Sequence, residues 1–502
     1  MANITFITQD NIPVTVHGES GSVMELAVEN NVAGIDGDCG GVCSCATCHV
    51  HVAKEQFSLV GQASEIEKDM LELDDDADKY SRLCCQIDIT PELETCIIVG
   101  ASHGGVNLAF ALRKEGYTGR IQLIDTDKRV PYHRPPLSKK HLISDEPAGQ
   151  LLKPLQAYEK ADIDLQLGVT VVDVDPSEKT VTLDDGTSHV YTQLVLATGA
   201  QPIIPPISGV ASAAHLYTLR TANDAQAIAQ AFNTCQQKRV VVIGGGYVGL
   251  EAAASLRQCG AQVTVLERES RLLARVTAPD MSDYFYRLHQ ENGVAVFNAK
   301  NVSEIQTHNN ENLVICSDGS QYPADIIVVG VGVRVNTHLA EKAGLKIDNG
   351  IAVDANNQTS DDSIYAIGDC CAQFNTHYQR WLRLESVQNA LEQAKVVAAV
   401  ICAKTPKVNA IPWFWSDQYA VKLQMVGLSQ GYDKVVVRHE RGNPQSFSVW
   451  YFNGDELLSV DAVNHAKAYV LGTKFITQRQ RVNISKLQDS SLALSGDLVV
   501  QV

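Results

Sequence analysis

The stretch Val240-Val-Val-Ile-Gly244-Gly-Gly246-Tyr-Val-Gly249-Leu-Glu251 constrains the fold more than any other part of the chain. A β-branched apolar run leads into glycines spaced G-x-G-x-x-G, and a helical pattern follows. Gly244 permits a tight turn. Gly246 lets the backbone approach a pyrophosphate seated on a helix N-terminus, and Gly249 permits close helix–strand packing. A strand before the motif and a helix after it are the context that a dinucleotide site requires. The next strand, Gln262-Val-Thr-Val-Leu-Glu267, ends in an acid. Glu267 is therefore the candidate partner of an adenosine ribose 2′-OH and repels a 2′-phosphate, which favours NADH over NADPH. Arg268 and Arg271 follow closely and keep NADPH as the less favoured alternative.

A second, degraded copy lies upstream: Ile97-Ile-Val-Gly100-Ala-Ser102-His-Gly104-Gly105, with Ser102 in place of the middle glycine. Alone it is weak. Two such units in one chain are the plan of two-dinucleotide flavoproteins, in which the first binds FAD and the second the nicotinamide nucleotide. Asp125 and Asp127, after the following strand, are the candidate ribose acids of the first unit. His103, at the helix start, reads as a packing or solvent-facing residue rather than a catalytic one.

The cysteines point elsewhere. There are 13, clustered rather than spread. Cys39, Cys45 and Cys48 stand on one loop spaced C-x5-C-x2-C, and Arg82-Leu-Cys84-Cys85 supplies a distant fourth thiol. Four thiolates complete two tetrahedral irons bridged by two sulfides. Gly40, Gly41 and Ala46 let backbone N–H groups approach the sulfurs. A structural zinc site also takes four cysteines, but usually on two short C-x2-4-C knuckles, and only one is present. Cys43 and Cys84 are spare thiols, each also near enough in sequence to serve as a ligand.

At 502 residues the chain exceeds one core, and three to five domains are expected. The net charge of −17 is unevenly placed: residues 1–90 hold 16 Asp/Glu against 4 Lys/Arg, so that −12 sits there and −5 on the rest. An acidic module disfavours nucleic-acid binding and favours docking to a basic protein surface. No basic start followed by an apolar core occurs in residues 1–30, and no run of about 18 apolar residues occurs anywhere, so neither a signal peptide nor a membrane span is expected. Clustered thiols without a disulfide framework fit a reducing cytoplasm.

Residues 1–92 resemble the adrenodoxin/putidaredoxin-type [2Fe–2S] ferredoxins at Gly37-Asp-Cys39-Gly-Gly41, Cys45-Ala-Thr-Cys48-His-Val50, Ser81-Arg-Leu-Cys-Cys85-Gln-Ile87 and Thr90-Pro-Glu-Leu93. The resemblance makes Cys39, Cys45, Cys48 and Cys85 the cluster ligands. It also makes the acidic helix the docking surface for redox partners, through Glu65, Glu67, Asp69, Glu72, Asp74, Asp75 and Asp76. The chain departs from that family by entering the next domain where a final short strand is usual.

Residues 96–502 resemble the putidaredoxin-reductase-like ferredoxin reductases, of glutathione-reductase architecture. The resemblance rests on Pro131-Tyr-His-Arg134-Pro-Pro-Leu-Ser-Lys139, Leu196-Ala197-Thr198-Gly199-Ala, Tyr217-Thr-Leu-Arg220-Thr, Ile367-Gly368-Asp369-Cys, Glu385-Ser-Val387-Gln-Asn-Ala-Leu-Glu-Gln and Trp413-Phe-Trp415-Ser-Asp417-Gln. It implies FAD contacts from Gly100, Ser102, Gly104, Gly105, Asp127, Arg134, Lys139, Val171, Ala197, Thr198, Gly199, Arg220, Gly368, Asp369 and Val387, with Trp415 stacked near the isoalloxazine. Lys139 would sit at flavin N5, paired with Glu251 across the ring, and these two are the candidate catalytic residues. Disulfide reductases of this architecture carry a Cys-x4-Cys pair on the helix after the FAD strand. Here Cys96 is followed by no cysteine until Cys235, which makes one-electron exit through the ferredoxin the natural route.

The expected fold is thus multidomain α/β and α+β. A β-grasp-like ferredoxin (1–93) precedes a discontinuous FAD domain (95–208 and 328–403), an NAD domain (209–327) and a C-terminal mixed α/β domain (404–502). The expected activity is that of an NAD(P)H:ferredoxin oxidoreductase, with electrons passing from NADH through FAD and the cluster to an external haem-thiolate or Rieske-type oxygenase. Donation to iron–sulfur assembly, and an NADH oxidase or redox sensor, are the alternatives. The short joint at Thr90–Thr95 decides whether the ferredoxin stays docked or swings.

Overall fold

The structure, a computed structural model, describes residues 2–18, 20–90, 94–139, 142, 150–309, 311–408, 411–441 and 443–500. The joint around Pro91 lies outside the described residues. The chain forms two compact units. One is Met1–Pro131 with Leu152–Gly199 and Val335–Val408, and the other is Tyr132–Leu151 with Ala200–Arg334 and Asn409–Val502.

The first unit begins with the acidic module. Strands Ala2–Ile7 and Pro13–Gly18 form a hairpin, with Ile4 opposite Val16. Ser22 and Glu25 close a capping box that starts the helix Val23–Glu29, and Ser64 and Glu67 do the same for the acidic helix Glu65–Leu71. Strand His49–His51 pairs antiparallel with Ser81–Leu83. Phe6, Val16, Leu26, Leu71, Leu83, Ile87 and Ile89 share one core, to which, among the described residues, only this module contributes.

Glu67 corrects an expectation. It does not face a partner but is fully buried beneath the helix, where Oε1 accepts from Arg82 Nε at 2.7 Å and from the Leu83 N–H at 2.8 Å. Arg82, also buried, donates onward to the carbonyls of Val60, Gly61 and Gln86. An acid every residue or two looks like one solvated face, yet helical geometry turns position 67 inward.

The rest of the first unit is built on five parallel strands in the order Ile364–Ala366, Gln193–Leu196, Thr95–Val99, Arg120–Asp125, Ile163–Leu167. Thr95–Val99 is buried throughout, as a central strand covered on both faces must be. Helices His103–Glu115 and Val387–Ile401 pack against one another. An antiparallel meander, Val171–Asp175, Thr180–Leu183 and Ser188–Val190, precedes Gln193–Leu196.

The second unit repeats this plan. Five parallel strands run in the order Leu216–Thr218, Ile326–Val329, Arg239–Ile243, Gln262–Leu266, Ala295–Phe297. A meander, Val302–His308, Glu311–Cys316 and Gln321–Ala324, again precedes the strand that returns to the middle. The C-terminal module adds an antiparallel sheet in the order Trp413–Gln418, Val421–Gly427, Glu456–Val463, Asn443–Asn453, Lys434–Glu440, and the helix Ala466–Thr477 packs against it. One apolar cluster joins the two sheets of this unit: Val240, Leu250 and Phe285 share it with Leu423, Phe447 and Tyr451. Tyr132, Leu137 and Leu142 enter the same cluster, and the Tyr132 hydroxyl accepts from the Ala222 N–H at 3.0 Å.

Arg82→Leu leaves the Glu67 carboxylate buried without its counter-charge. Loss of one partner of such a pair costs about 3–5 kcal/mol. The urea midpoint for loss of the cluster's visible circular dichroism should fall accordingly, while the flavin signal keeps its own midpoint.

Candidate functional site

In each parallel sheet the strands end together, and the glycine turn sits at that edge. In the first unit Gly100, with φ +110°, follows Thr95–Val99 beside Ala197. A Cβ on Gly100 would stand 2.4 Å from the Ala197 carbonyl oxygen, and one on Gly105 would stand 1.9 Å from the Gly100 oxygen. In the second unit Gly244 has φ +109°; its Cβ would meet the Gly330 oxygen at 2.4 Å, and that of Gly249 the Gly244 oxygen at 2.2 Å. The two turns are near copies. The side chain missing at Gly105 or Gly249 lets the helix start press directly on the turn.

Ser102 stands where the second turn has Gly246. Both are extended, with φ −98° and −82°. The position asks for no glycine conformation, so the degraded motif keeps its shape. Neither residue caps its helix with a side chain, which leaves helix N–H groups facing the strand ends as an anion cradle. Around Gly246 a Cβ would find no atom within 4 Å. That room, with two helix starts that no side chain of Ser102 or Gly246 caps, fits the two dinucleotides.

The acids behind the turns correspond as well. Glu267 accepts from the Gly245 N–H at 2.6 Å and the Glu269 N–H at 2.7 Å. Asp125 accepts from the Ala101 N–H at 2.5 Å and the Asp127 N–H at 2.8 Å. Asp125 is thus the counterpart of Glu267. Asp127 lies two residues on, its carboxylate accepting from the Arg129 N–H. Arg271 is committed to Ser282 Oγ at 2.6 Å and the Ala274 carbonyl at 2.9 Å, and exposed Arg268 to Glu269. In the first unit, Thr198 and Asn336 bond one another twice at 2.9 Å. Gly368, φ +79°, donates to Gln393 Oε1 at 2.8 Å, and a Cβ on Gly104 would touch Ile367 and Ala390. Gly100, Gly104, Gly105, Ala197, Thr198, Gly199, Gly368, Asp369 and Val387 thus gather at one sheet edge, since Val387 opens the helix that carries Ala390.

In the second unit Lys139 ends the short 3-10 turn Pro135–Ser138. Its ammonium lies 2.8 Å from Glu251 Oε2 and also donates to the Pro135 carbonyl. The contact is direct, so the two side chains do not face one another across a ring. Glu251 is buried on the helix Tyr247–Gln258. Ser138 Oγ donates to its Oε2 at 2.5 Å and Ser416 Oγ to its Oε1 at 2.6 Å. Trp415 is half-buried in the strand Trp413–Gln418, its ring 5.7 Å from that of Trp413. Arg220 follows the strand Leu216–Thr218, and its N–H donates to Asp224.

The cysteine loop is wound through the left-handed region at Gly37, Gly40, Gly41, Cys43 and Ala46, with φ between +55° and +92°. This winding turns backbone N–H groups inward. Cys39 accepts from the Ser44 N–H first, then from the Cys45 thiol and the Gly41 N–H, which brings its own thiol down to about 6. Cys48 is likewise brought to about 6, first by the Cys84 thiol and then by the Cys85 N–H and thiol. Burial pushes Cys85 up to about 11. Cys39 thus stands beside Cys45, and Cys48 beside both Cys84 and Cys85. Among the described residues no three His, Cys, Asp or Glu side chains gather around a single ion. A binuclear cluster needs two thiolates on each iron, and the thiols of this loop with those of Cys84 and Cys85 can supply them.

Residues 94–394 match the family described as pyridine nucleotide-disulphide oxidoreductase, 413–496 the reductase C-terminal family, and 7–90 the 2Fe-2S iron-sulfur cluster binding domain. The chain belongs to the pyridine nucleotide-disulphide oxidoreductase family. It is 41% identical to putidaredoxin reductase CamA of Pseudomonas putida over 80% of this chain and 96% of that one. It is 37% identical to the 5,5'-dehydrodivanillate O-demethylase ferredoxin reductase subunit of a Sphingobium species, over 80% and 97%. The crystal structure of a covalent putidaredoxin reductase–putidaredoxin complex matches with a TM-score of 0.76 at 40% identity, covering 80% of this chain and 97% of that one. The protein is an NAD(P)H:ferredoxin oxidoreductase of the putidaredoxin-reductase type, with FAD, a [2Fe–2S] ferredoxin domain on the same chain, and NADH as its cofactors. Among the described residues no helix is long and apolar enough to cross a membrane.

Sequence reasoning about this reductase passed over Ser138, Ser416 and Gln418. All three bear on Glu251 from elements remote in sequence. The signal for Ser416 and Gln418 was the strand alternation around Trp415: polar residues with period two on its opposite face, both buried.

Cys84 and Cys85 both touch Cys48, so substitution separates them. Cys85→Ser should purify with little iron or acid-labile sulfide, and Cys84→Ser and Cys43→Ser with the full complement. Loss of the cluster in Cys84→Ser, with retention in Cys85→Ser, would reverse the ligand assignment.

Proposed function

We propose that this reductase passes electrons from NADH through its own ferredoxin domain to a terminal oxygenase, either haem-thiolate or Rieske-type, that docks on the acidic helix. The observation that carries this reading is the surface of that helix. Glu65, Asp69, Glu72, Asp75 and Asp76 are exposed, and among them stand the exposed apolar side chains Ile66 and Leu73. An acidic rim around apolar contacts suits a basic redox partner: charge steers the encounter and apolar contact holds it. Asp74 is turned partly to the interior, 2.8 Å from His49 Nδ1. The O-demethylase system of the Sphingobium relative supports an oxygenase as the client.

Within the chain we assign roles by residue. Gly244, Gly246, Gly249 and Glu267 hold the nicotinamide nucleotide. Glu267 at the end of its strand repels a 2′-phosphate, and Arg271 is bonded to Ser282 and the Ala274 carbonyl, which supports NADH. Gly100, Ser102, Gly104, Gly105, Asp127, Arg134, Val171, Ala197, Thr198, Gly199, Arg220, Gly368, Asp369, Val387 and Trp415 attend FAD, to which Asp125 is added. Lys139, anchored on Glu251, is the cation for the flavin N5 locus, where a fixed positive charge favours the reduced ring. When bound, FAD would supply the exchange between a two-electron hydride and single electrons, and Cys39, Cys45, Cys48 and Cys85 would hold the cluster that supplies a one-electron exit. The chain's own work is to hold these groups and exclude water around them.

Cytochrome c, a basic one-electron acceptor, tests the route. NADH-driven cytochrome c reduction should be lost in Cys85→Ser while ferricyanide reduction survives. Unchanged cytochrome c reduction would sink the internal route. Replacing Asp69 and Glu72 by Lys should raise KM for cytochrome c about tenfold at low salt, and high salt should erase the difference. Cluster-dependent peroxide production that exceeds delivery to any protein acceptor would favour an oxidase instead.

A further inference from the structure

The carboxylate of Glu251 is the end of a buried hydrogen-bond chain. Ser416 Oγ lies 2.6 Å from Oε1, Gln418 Nε2 lies 3.2 Å from Ser416 Oγ, and His289 Nε2 lies 2.9 Å from Gln418 Oε1. Tyr419 Oη is 3.5 Å from the other ring nitrogen, Nδ1, with the two rings edge to face at 5.3 Å. Ser416, Gln418 and His289 are each at most 1% exposed. None of the three was assigned a role above.

The direction of every bond follows from one end. A carboxylate only accepts, so the Ser416 hydroxyl must donate its proton to Glu251. That hydroxyl can then only accept from its neighbour, so Gln418 presents its amide N–H to Ser416. A flipped amide would set two acceptors face to face. The Gln418 carbonyl oxygen therefore faces His289, and Nε2 must carry a proton. In a neutral ring Nδ1 then accepts. All the donors run toward Glu251, and bonds in such a chain polarise one another in a dry interior. With Ser138 Oγ and the Lys139 ammonium on Oε2, the carboxylate receives donors on both oxygens.

We propose that Ser416, Gln418 and His289 are positioning residues that fix the Glu251 carboxylate, and through it the Lys139 ammonium, with His289 held as the neutral Nε2–H tautomer. The proposal rests on the assignment of Lys139 and Glu251 to the flavin N5 locus. Burial lowers the His289 pKa, partly offset by the bond to Gln418, in keeping with a neutral ring. A glutamine cannot pass a proton along without changing tautomer, so the chain orients rather than conducts. Its use is electrostatic: a cation acts on a reacting centre only from a fixed place, and a displacement of about 1 Å is enough to cost up to a hundredfold in rate.

The test uses the FAD-loaded full chain. In Ser416→Ala and in Gln418→Met, flavin bleaching by NADH in stopped flow should slow about tenfold while the Kd for NADH stays within about twofold. The flavin midpoint potential should move to more negative values, and Ser416→Thr, which keeps the hydroxyl, should restore both. In the wild-type protein, 15N spectra of labelled histidine should show Nε2 protonated and Nδ1 bare for His289, and Gln418→Met should abolish that single-tautomer signature. Unchanged bleaching and potential in both variants would overturn the proposal. So would a cationic or Nδ1–H His289 in the wild type, a result that does not depend on any variant folding. Lys139→Met separates the layers. If it leaves the potential and bleaching rate unmoved, the placement of Lys139 fails. If it shifts them while Ser416→Ala and Gln418→Met do not, only the positioning chain fails.

Discussion

Both dinucleotide turns depend on a contact that only an absent side chain allows. The helix that follows each parallel strand lies so close that a methyl group on Gly105 or Gly249 would overlap the carbonyl of Gly100 or Gly244. This approach points the helix N-terminus over the strand ends without a capping side chain. It also sets the phase of the second helix. Glu251 lies two residues beyond Gly249, and the turn that cradles a pyrophosphate therefore also decides where that carboxylate enters the interior. The binding geometry and the placement of the Lys139 partner follow from the same packing.

The frame of this fold was legible because its signals are local. A β-branched run, a glycine turn and an amphipathic helix lie within about a dozen residues, and backbone geometry ties their spacing to a function. The cysteine loop was legible for the same reason. What was not legible is contact between distant segments. Nothing in Pro135-Pro-Leu-Ser-Lys139 announces that it leaves the first unit and packs with Ala222 and Leu250 in the second. Glu67 shows the opposite failure. The family resemblance placed it on a docking face, but its phase on a seven-residue helix put it against Arg82. Ser102 looked like damage to a motif, yet its backbone is extended like that of Gly246 and loses nothing by carrying a side chain.

The charges are used in two ways. On the ferredoxin helix, acids left in water form a field that extends into solvent and weakens with salt. Inside the reductase, the Glu251 carboxylate has lost its water and is compensated by directed donors: two hydroxyls, an ammonium, and behind them an amide and an imidazole. The first arrangement tolerates rearrangement of individual acids, because the sum matters. The second does not, because each donor's direction depends on the next.

The cores also decide which parts of this chain can be exchanged. The ferredoxin closes its apolar interior on itself, from Phe6 to Ile89, so evolution or an engineer can graft a different carrier there without opening the reductase. The C-terminal sheet is different. Its strand Trp413–Gln418 lends Ser416 to a carboxylate on another module, and Leu423, Phe447 and Tyr451 belong to the nucleotide domain's own core. Removing it would open the nucleotide domain's core, so a cut near residue 94 spares that core where one near residue 411 breaks it.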